Sequence, residues 1–181
     1  MLRMADSVNV LNLPPGFPAY AGYVNGEYTT WPLLKKRFPR SRLLPITITL
    51  NDLVWAQCLD IENGDATPDQ APRFINLVPN ALRMLYISRD SVPDLMQIMG
   101  AAKIERNRWK LWTAHYGFGK HICGPWTCKL PFQADGTQWV DWGEWDESLL
   151  DDNFFTLPTS RTPTQPRHPQ PAEGHTGPTR L

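Results

Sequence analysis

The stretch CLDIENGDATP, residues 58–68, decides the fold. Residues 54–61 (VWAQCLDI) form an apolar run that reads as a strand. The run ends in acids, with Asp60, Glu62 and Asp65 following one another closely. Thr67 then supplies a helix cap and Pro68 the first helical position, and the helix continues to about Leu77. Strand, polar turn and helix make the first half of a βαβ unit.

The same alternation extends to both sides. Downstream, residues 83–88 (RMLYIS) read as a strand. Residues 91–102 read as a helix whose buried stripe is Val92, Leu95, Ile98 and Met99. Residues 109–116 (WKLWTAHY) and 136–140 are further strands. Upstream, residues 42–50 (RLLPITITL) are rich in β-branched residues, with Pro45 near the start. Thr29 and Thr30 are candidate caps for a short helix through Lys36, with Trp31 and Leu34 on one side. Residues 19–24 (AYAGYV) are read as the first strand. Strands alternating with helices predict an α/β fold with mainly parallel strands. A full eight-unit barrel usually takes about 250 residues. The expectation is therefore a shortened or incomplete (β/α) barrel over residues 18–157. Residues 1–17 are expected to be an N-terminal arm and residues 158–181 a Pro/Thr-rich tail.

Composition narrows the function. The chain has 181 residues, with 18 Lys plus Arg against 18 Asp plus Glu. That balance argues against a broad nucleic-acid surface. No run of about 18 apolar residues is present, so no membrane span is expected. Residues 1–24 lack the pattern of a secretory leader, which predicts release by lysis or carriage on a particle. Six of the 24 residues in 158–181 are Pro, a composition that favours extended, polyproline-like chain.

Asp60 and Glu62 are two apart on a strand, so they share a face, with Cα atoms roughly 6.5 Å apart. At the C-terminal mouth of a parallel sheet that face meets the usual site position. Neighbouring carboxylates push their pKa values apart. One then keeps a proton for a leaving oxygen while the other stabilises a developing cation, the pairing that glycosidic bond cleavage uses. The same residues also suit a solvated acidic loop before Pro68.

No metal site is expected. Asp60, Glu62 and Asp65 do not match an EF-hand loop, and His115 and His121 belong to no recognised zinc spacing. No cofactor motif is present. The chain holds eight Trp, six of them between 109 and 145. They suit core packing, or stacking on sugar rings beside carboxylates. Cys123 and Cys128 bracket Gly124-Pro125-Trp126-Thr127 and are a disulfide candidate. Cys58 is the odd cysteine, on the face of Asp60.

Taken in order, AYAGYVNG (19–26), CLDIENGDATPDQAP (58–72), LYIS (85–88), WTAHYG (112–117), HICGPWTC (121–128), DGTQW (135–139) and WDESLLDDNFF (145–155) resemble a known set. They resemble the glycoside-hydrolase-like domains of actinobacteria and their phages, distant relatives of the glycoside hydrolase family 25 lysozymes. The resemblance covers about residues 15–155. It implies an incomplete (β/α) barrel acting on, or binding, peptidoglycan or a surface polysaccharide at the host cell surface. It implies Glu62 as general acid and Asp60 as its neighbouring carboxylate. It implies a groove lined by Tyr23, Asn25, Asp65, Tyr86, Trp112, His115 and Tyr116, with Gln138 and Asp146 late in the barrel. The family carries an Asp on its first strand, whereas residues 19–24 hold none and Asn25 is uncharged. The alternative expectation is a catalytically inactive virion protein, a decoration, head-fibre or minor tail component. Such a protein would keep the fold for adhesion and meet neighbouring subunits through residues 1–17 and 158–181.

Overall fold

The chain's second residue already belongs to the sheet. In the structure, a computed structural model, Leu2–Asp6 forms strand β1. It pairs in parallel with β2 (Ala19–Tyr23) and antiparallel with the last strand, β8 (Asp146–Leu150). Between them run β3 (Arg42–Thr47), β4 (Cys58–Ile61), β5 (Met84–Ser88), β6 (Lys110–Ala114) and β7 (Gly136–Asp141). The eight strands close into a barrel in sequence order. The structure describes residues 1–50 and 55–157; the Pro-rich segment 158–181 and Val54, at the start of an expected strand, lie outside the described residues.

Two expectations are corrected. Residues 1–17 are not a free arm, because Leu2, Met4 and Asp6 alternate into the barrel as a strand does. The barrel is closed rather than incomplete. Closure comes from β8, a stretch to which the sequence reading assigns no strand. Parallel neighbours need a crossover of a dozen residues or more, but an antiparallel strand needs only a hairpin. The β7–β8 turn is such a hairpin, with Gly143 at φ +87° and Trp142 N donating to Trp145 O at 3.0 Å. Ending on a hairpin lets a short chain close eight strands.

Among the described residues three crossovers carry an α-helix: α1 (Trp31–Arg37) after β2, α2 (Ala71–Leu77) after β4 and α3 (Val92–Ala101) after β5. Each starts with Pro at its first or second position. The start of the β4–β5 crossover is set by Thr67, whose N–H donates to Gln70 Oε1 at 2.9 Å. Gly22 lets α1 approach β2, since a Cβ there would stand 2.8 Å from Leu34 Cδ2. Inside the barrel pack Met4, Leu44, Ile46, Met84, Trp112, Leu150 and Phe154. A larger apolar layer, including Leu59, Phe74, Leu85, Leu95, Trp109 and Leu111, joins the β4–β6 wall to α2 and α3. A smaller one places Tyr20, Leu34 and Phe38 together, with the rings of Tyr20 and Phe38 stacked at 3.8 Å. Among the described residues no helix is long and apolar enough to cross a membrane.

Candidate functional site

Seven parallel strands deliver their last inward side chains to one mouth, and these are mostly polar. Asp6 ends β1, Tyr23 ends β2, Asp60 lies near the end of β4, Tyr86 on β5 and Gln138 on β7. Tyr23 Oη donates to Asp60 Oδ2 at 3.2 Å. Gln138 Nε2 donates to both oxygens of Asp6, at 3.1 and 3.2 Å. Gln138 Oε1 accepts from the hydroxyl of Tyr86 and, at 2.6 Å, from that of Tyr116. One amide therefore joins β1, β5, β7 and Tyr116, the second residue after β6.

Asp6 is the residue sequence reading missed. The strand taken as first, 19–24, is β2, so its lack of an acid says nothing about β1. The available signal was the alternation Leu2, Met4, Asp6, short and at the very start of the chain.

The acids are crowded. Carboxylate oxygens of Asp60, Glu62 and Asp65 lie within 4.8 Å of one another. Asp60 is 1 % exposed, and its Oδ1 is enclosed with no hydrogen-bond partner among the described residues. Burial, then the charges of Glu62 and Asp65, push Asp60 up to about 8. Burial and Asp65 also raise Glu62, which is exposed at the rim. Asp146, at the start of β8, is pushed up to about 6 by burial and by the charges of Asp141 and Glu62. Asp6, 5 % exposed, lies well above the carboxylate range because it is buried and faces Asp146. Cys58 sits among the same inward residues as Asp60, and burial raises its thiol.

Beside the acids opens a cleft of about 770 Å³, lined in part by Glu62, Arg89, Tyr116, Phe118 and Lys129. Aromatic rings line the cleft: Tyr116 is 44 % exposed, and Phe118 is also open to solvent. A smaller cavity, about 260 Å³ and lined by Ile75, Ala81 and Leu157, is at the opposite end of the strands and contains none of these acids.

The expected groove residues divide into two groups. Tyr23, Asp60, Glu62, Asp65, Tyr86, Tyr116, Gln138 and Asp146 come together at the mouth. Asn25 does not line it: its side chain donates to Thr49 Oγ1 at 2.9 Å and accepts from Ile48 N at 3.0 Å, tying the ends of β2 and β3. Trp112 is 1 % exposed inside the barrel, donates to Ser148 Oγ at 2.9 Å, and lies 4.5 Å from the ring of Tyr86. It supports Tyr86 and is out of a ligand's reach.

His115 stands at the cleft wall, packed on Phe118 with ring centroids 4.2 Å apart. Its Nδ1 lies 3.0 Å from His121 Nε2. Cys123 and Cys128 are joined as a disulfide in the same place. Among the described residues two sets of side chains thus have metal-ligating atoms close together: the three acids, and the two His with the two Cys. Comparison with protein-family models, with curated proteins and with solved structures finds no match to this chain.

Proposed function

We propose that the chain is a glycan-active domain that hydrolyses cell-wall peptidoglycan or a related surface polysaccharide, with Glu62 as proton donor. One observation carries this reading. A solvent-facing Glu62 sits at the rim of a cleft beside a buried Asp60 whose affinity for protons is raised, and their carboxylate oxygens lie within 4.8 Å. Such a pair titrates as a unit and holds a proton through neutral pH. Glu62 reaches the cleft, so it delivers that proton to the leaving glycosidic oxygen. Asp60 is too enclosed to attack a sugar, and its part is to keep the shared proton in place. Asp146, ionised above about 6, supplies negative charge across the mouth for the oxocarbenium-like transition state. Exposed Tyr116 and Phe118, both lining the cleft, give ring faces for sugars.

Activity should rise as pH passes about 6, where Asp146 ionises, and fall as pH passes about 8, where Asp60 loses its proton. The test is reducing-sugar release from purified actinobacterial cell wall by wild type and Glu62→Gln. A loss of about 10²–10⁴-fold in the variant is expected. No release by folded wild type between pH 5 and 9 counts against hydrolysis.

A second reading, binding without turnover, rests on how fully Asp6 and Asp60 are enclosed and on Gln138 being fully engaged. It covers an adhesive virion component as well as a wall-binding module. Under it, folded protein co-sediments with the wall but releases no sugar, and Glu62→Gln leaves sedimentation unchanged.

A further inference from the structure

The connection from β6 to β7, residues 115–135, contains no helix. Segments longer than about 12–15 residues without secondary structure are uncommon inside a compact domain. This one nevertheless covers part of the barrel wall, with Ile122, Cys123, Cys128, Leu130 and Ala134 in the large apolar layer. Some device must hold it in shape.

Four side chains converge within it. His115 Nδ1 lies 3.3 Å from Cys123 Sγ and 3.2 Å from Cys128 Sγ. His121 Nε2 lies 3.5 Å from Cys123 Sγ and 3.0 Å from His115 Nδ1. The other nitrogen of His121, Nδ1, is 2.7 Å from Gly119 O. A carbonyl only accepts, so Nδ1 carries the hydrogen and Nε2 presents a lone pair to the cluster. This orientation by a backbone carbonyl is the support that metal-bound imidazoles commonly have. His115 Nδ1 faces that lone pair and both sulfurs at once. A single N–H cannot serve three acceptors, and sulfur is a weak acceptor in any case. A disulfide requires no imidazoles, yet here two are directed at it.

We propose that in the reduced chain His115, His121, Cys123 and Cys128 bind one zinc ion, a structural Cys2His2 site that pins the β6–β7 connection. Zinc bonds of about 2.3 Å to sulfur and 2.0–2.1 Å to nitrogen give tetrahedral edges of roughly 3.3 Å between nitrogens and 3.6 Å between nitrogen and sulfur. The observed 3.0 Å and 3.2–3.5 Å require a slight expansion, while the two sulfurs, bonded to each other here, part to about 3.8 Å once reduced. Both cysteines are buried and both histidines half-buried, so the four ligands close the site against water. Two thiolates and two imidazoles favour zinc, while the all-oxygen trio Asp60, Glu62 and Asp65 suits harder cations. The disulfide and the metal site are alternative states of the same sulfurs. Two equivalents of a monothiol reduce the disulfide to two thiols and are themselves oxidised to a disulfide. Zinc binding then releases the two thiol protons.

The test combines metal content with a thiol count. The full chain is purified without chelator under mild reducing conditions, the reductant is removed anaerobically, and zinc is measured by mass spectrometry. About one zinc per chain is expected, together with three titratable thiols after unfolding and chelation, one of them Cys58. Chain isolated with a single thiol is reduced with a phosphine and offered zinc. Uptake of one equivalent supports the proposal, and none overturns it. Cobalt in place of zinc should show a thiolate charge-transfer band and intense tetrahedral bands, which cobalt on the acidic trio would lack. His121→Ala, a half-exposed and milder change than loss of a buried cysteine, should fall below about a tenth of an equivalent. Glu62→Gln should keep the full amount. Zinc that persists in His121→Ala and Cys128→Ser but is lost in Glu62→Gln overturns the assignment.

Discussion

Gln138 and Asp6 are 132 residues apart, and the Gln138 amide nitrogen donates to both oxygens of the Asp6 carboxyl group. The contact spans the barrel mouth from β7 to β1. With the Tyr86 and Tyr116 hydroxyls on its oxygen, Gln138 determines where the polar groups of the mouth stand.

Replacing Gln138 with Leu should therefore destabilise the fold as well as the site. It strands the buried Asp6 carboxyl, at about 1–3 kcal/mol when left unpaired, and takes one acceptor from the Tyr86 hydroxyl, which Glu62 also meets. A total loss of roughly 2–5 kcal/mol is expected in urea unfolding at neutral pH. Tyr116 is partly exposed and can turn to water, so Tyr116→Phe should cost less than about 1 kcal/mol. A Gln138→Leu cost as small as that of Tyr116→Phe would mean the network does not hold the mouth together.

Asp60 should make the protein less stable as pH rises. Its folded pKa, about 8, is above the unfolded value of about 3.9. The native state therefore binds the extra proton between these values. Its stabilising effect is complete below the unfolded pKa and is lost as pH rises through the folded one. The change is on the order of a few kcal/mol between pH 4 and 8. Asp60→Asn cannot titrate, so its denaturation midpoint should vary less across that window. Equal slopes for wild type and variant would show that Asp60 is not the group being titrated.

Much of the barrel was legible because β2 to β6 lie in mainly apolar runs, and α2 and α3 carry the usual start signals. Thr67-Pro68 and Ser91-Val92-Pro93 mark helix starts with residues that act locally. The ends were harder. β1 has five residues and a single visible alternation, and β8 begins Asp146-Glu147-Ser148, a polar string. Its polarity makes sense only in three dimensions. Asp146 faces the mouth, Glu147 reaches Arg3, and Ser148 accepts from Trp112. The acidic cluster was legible from Asp60-Ile61-Glu62 because strand period places both acids on one face. Asn25 and Trp112 were misplaced for a different reason. Sequence shows that a side chain lies near the mouth, but not whether a backbone amide or a serine has already engaged it.

The seam between β1 and β8 should weaken in acid. Arg3 holds Glu147 through two hydrogen bonds, 2.6 and 2.8 Å, and Glu147 is 2 % exposed. Burial acts to raise the Glu147 pKa, but the hydrogen bonds and charge of Arg3 outweigh it, and the net shift is downward. A lowered carboxylate stabilises the fold above its unfolded pKa, about 4.3, and stops doing so as pH falls through the folded value. Arg3 is half exposed, so screening keeps the pair's own contribution small. Glu147→Gln should lower the thermal midpoint at pH 7 and leave it nearly unchanged near pH 3. A constant difference at both pH values would remove the ion pair from the explanation.

The closed end of the barrel depends on a glycine and a ring. Phe154 is fully buried, and Gly136 faces it at the start of β7. A Cβ on residue 136 would stand 2.7 Å from Leu150 Cδ2 and 3.1 Å from Phe154 Cε2. Gly136→Ala should cost about 1–3 kcal/mol by overpacking, and Phe154→Ala about 3–5 kcal/mol by leaving a cavity. The two changes address the same space from opposite sides. In the double variant the new methyl has room where the ring stood, and Leu150 can move away from it. The double variant should therefore be more stable than the sum of the single costs implies, by about 1 kcal/mol in chemical denaturation. Strict additivity would mean that Leu150 alone meets the added methyl, and that Phe154 closes the barrel without setting the identity of residue 136.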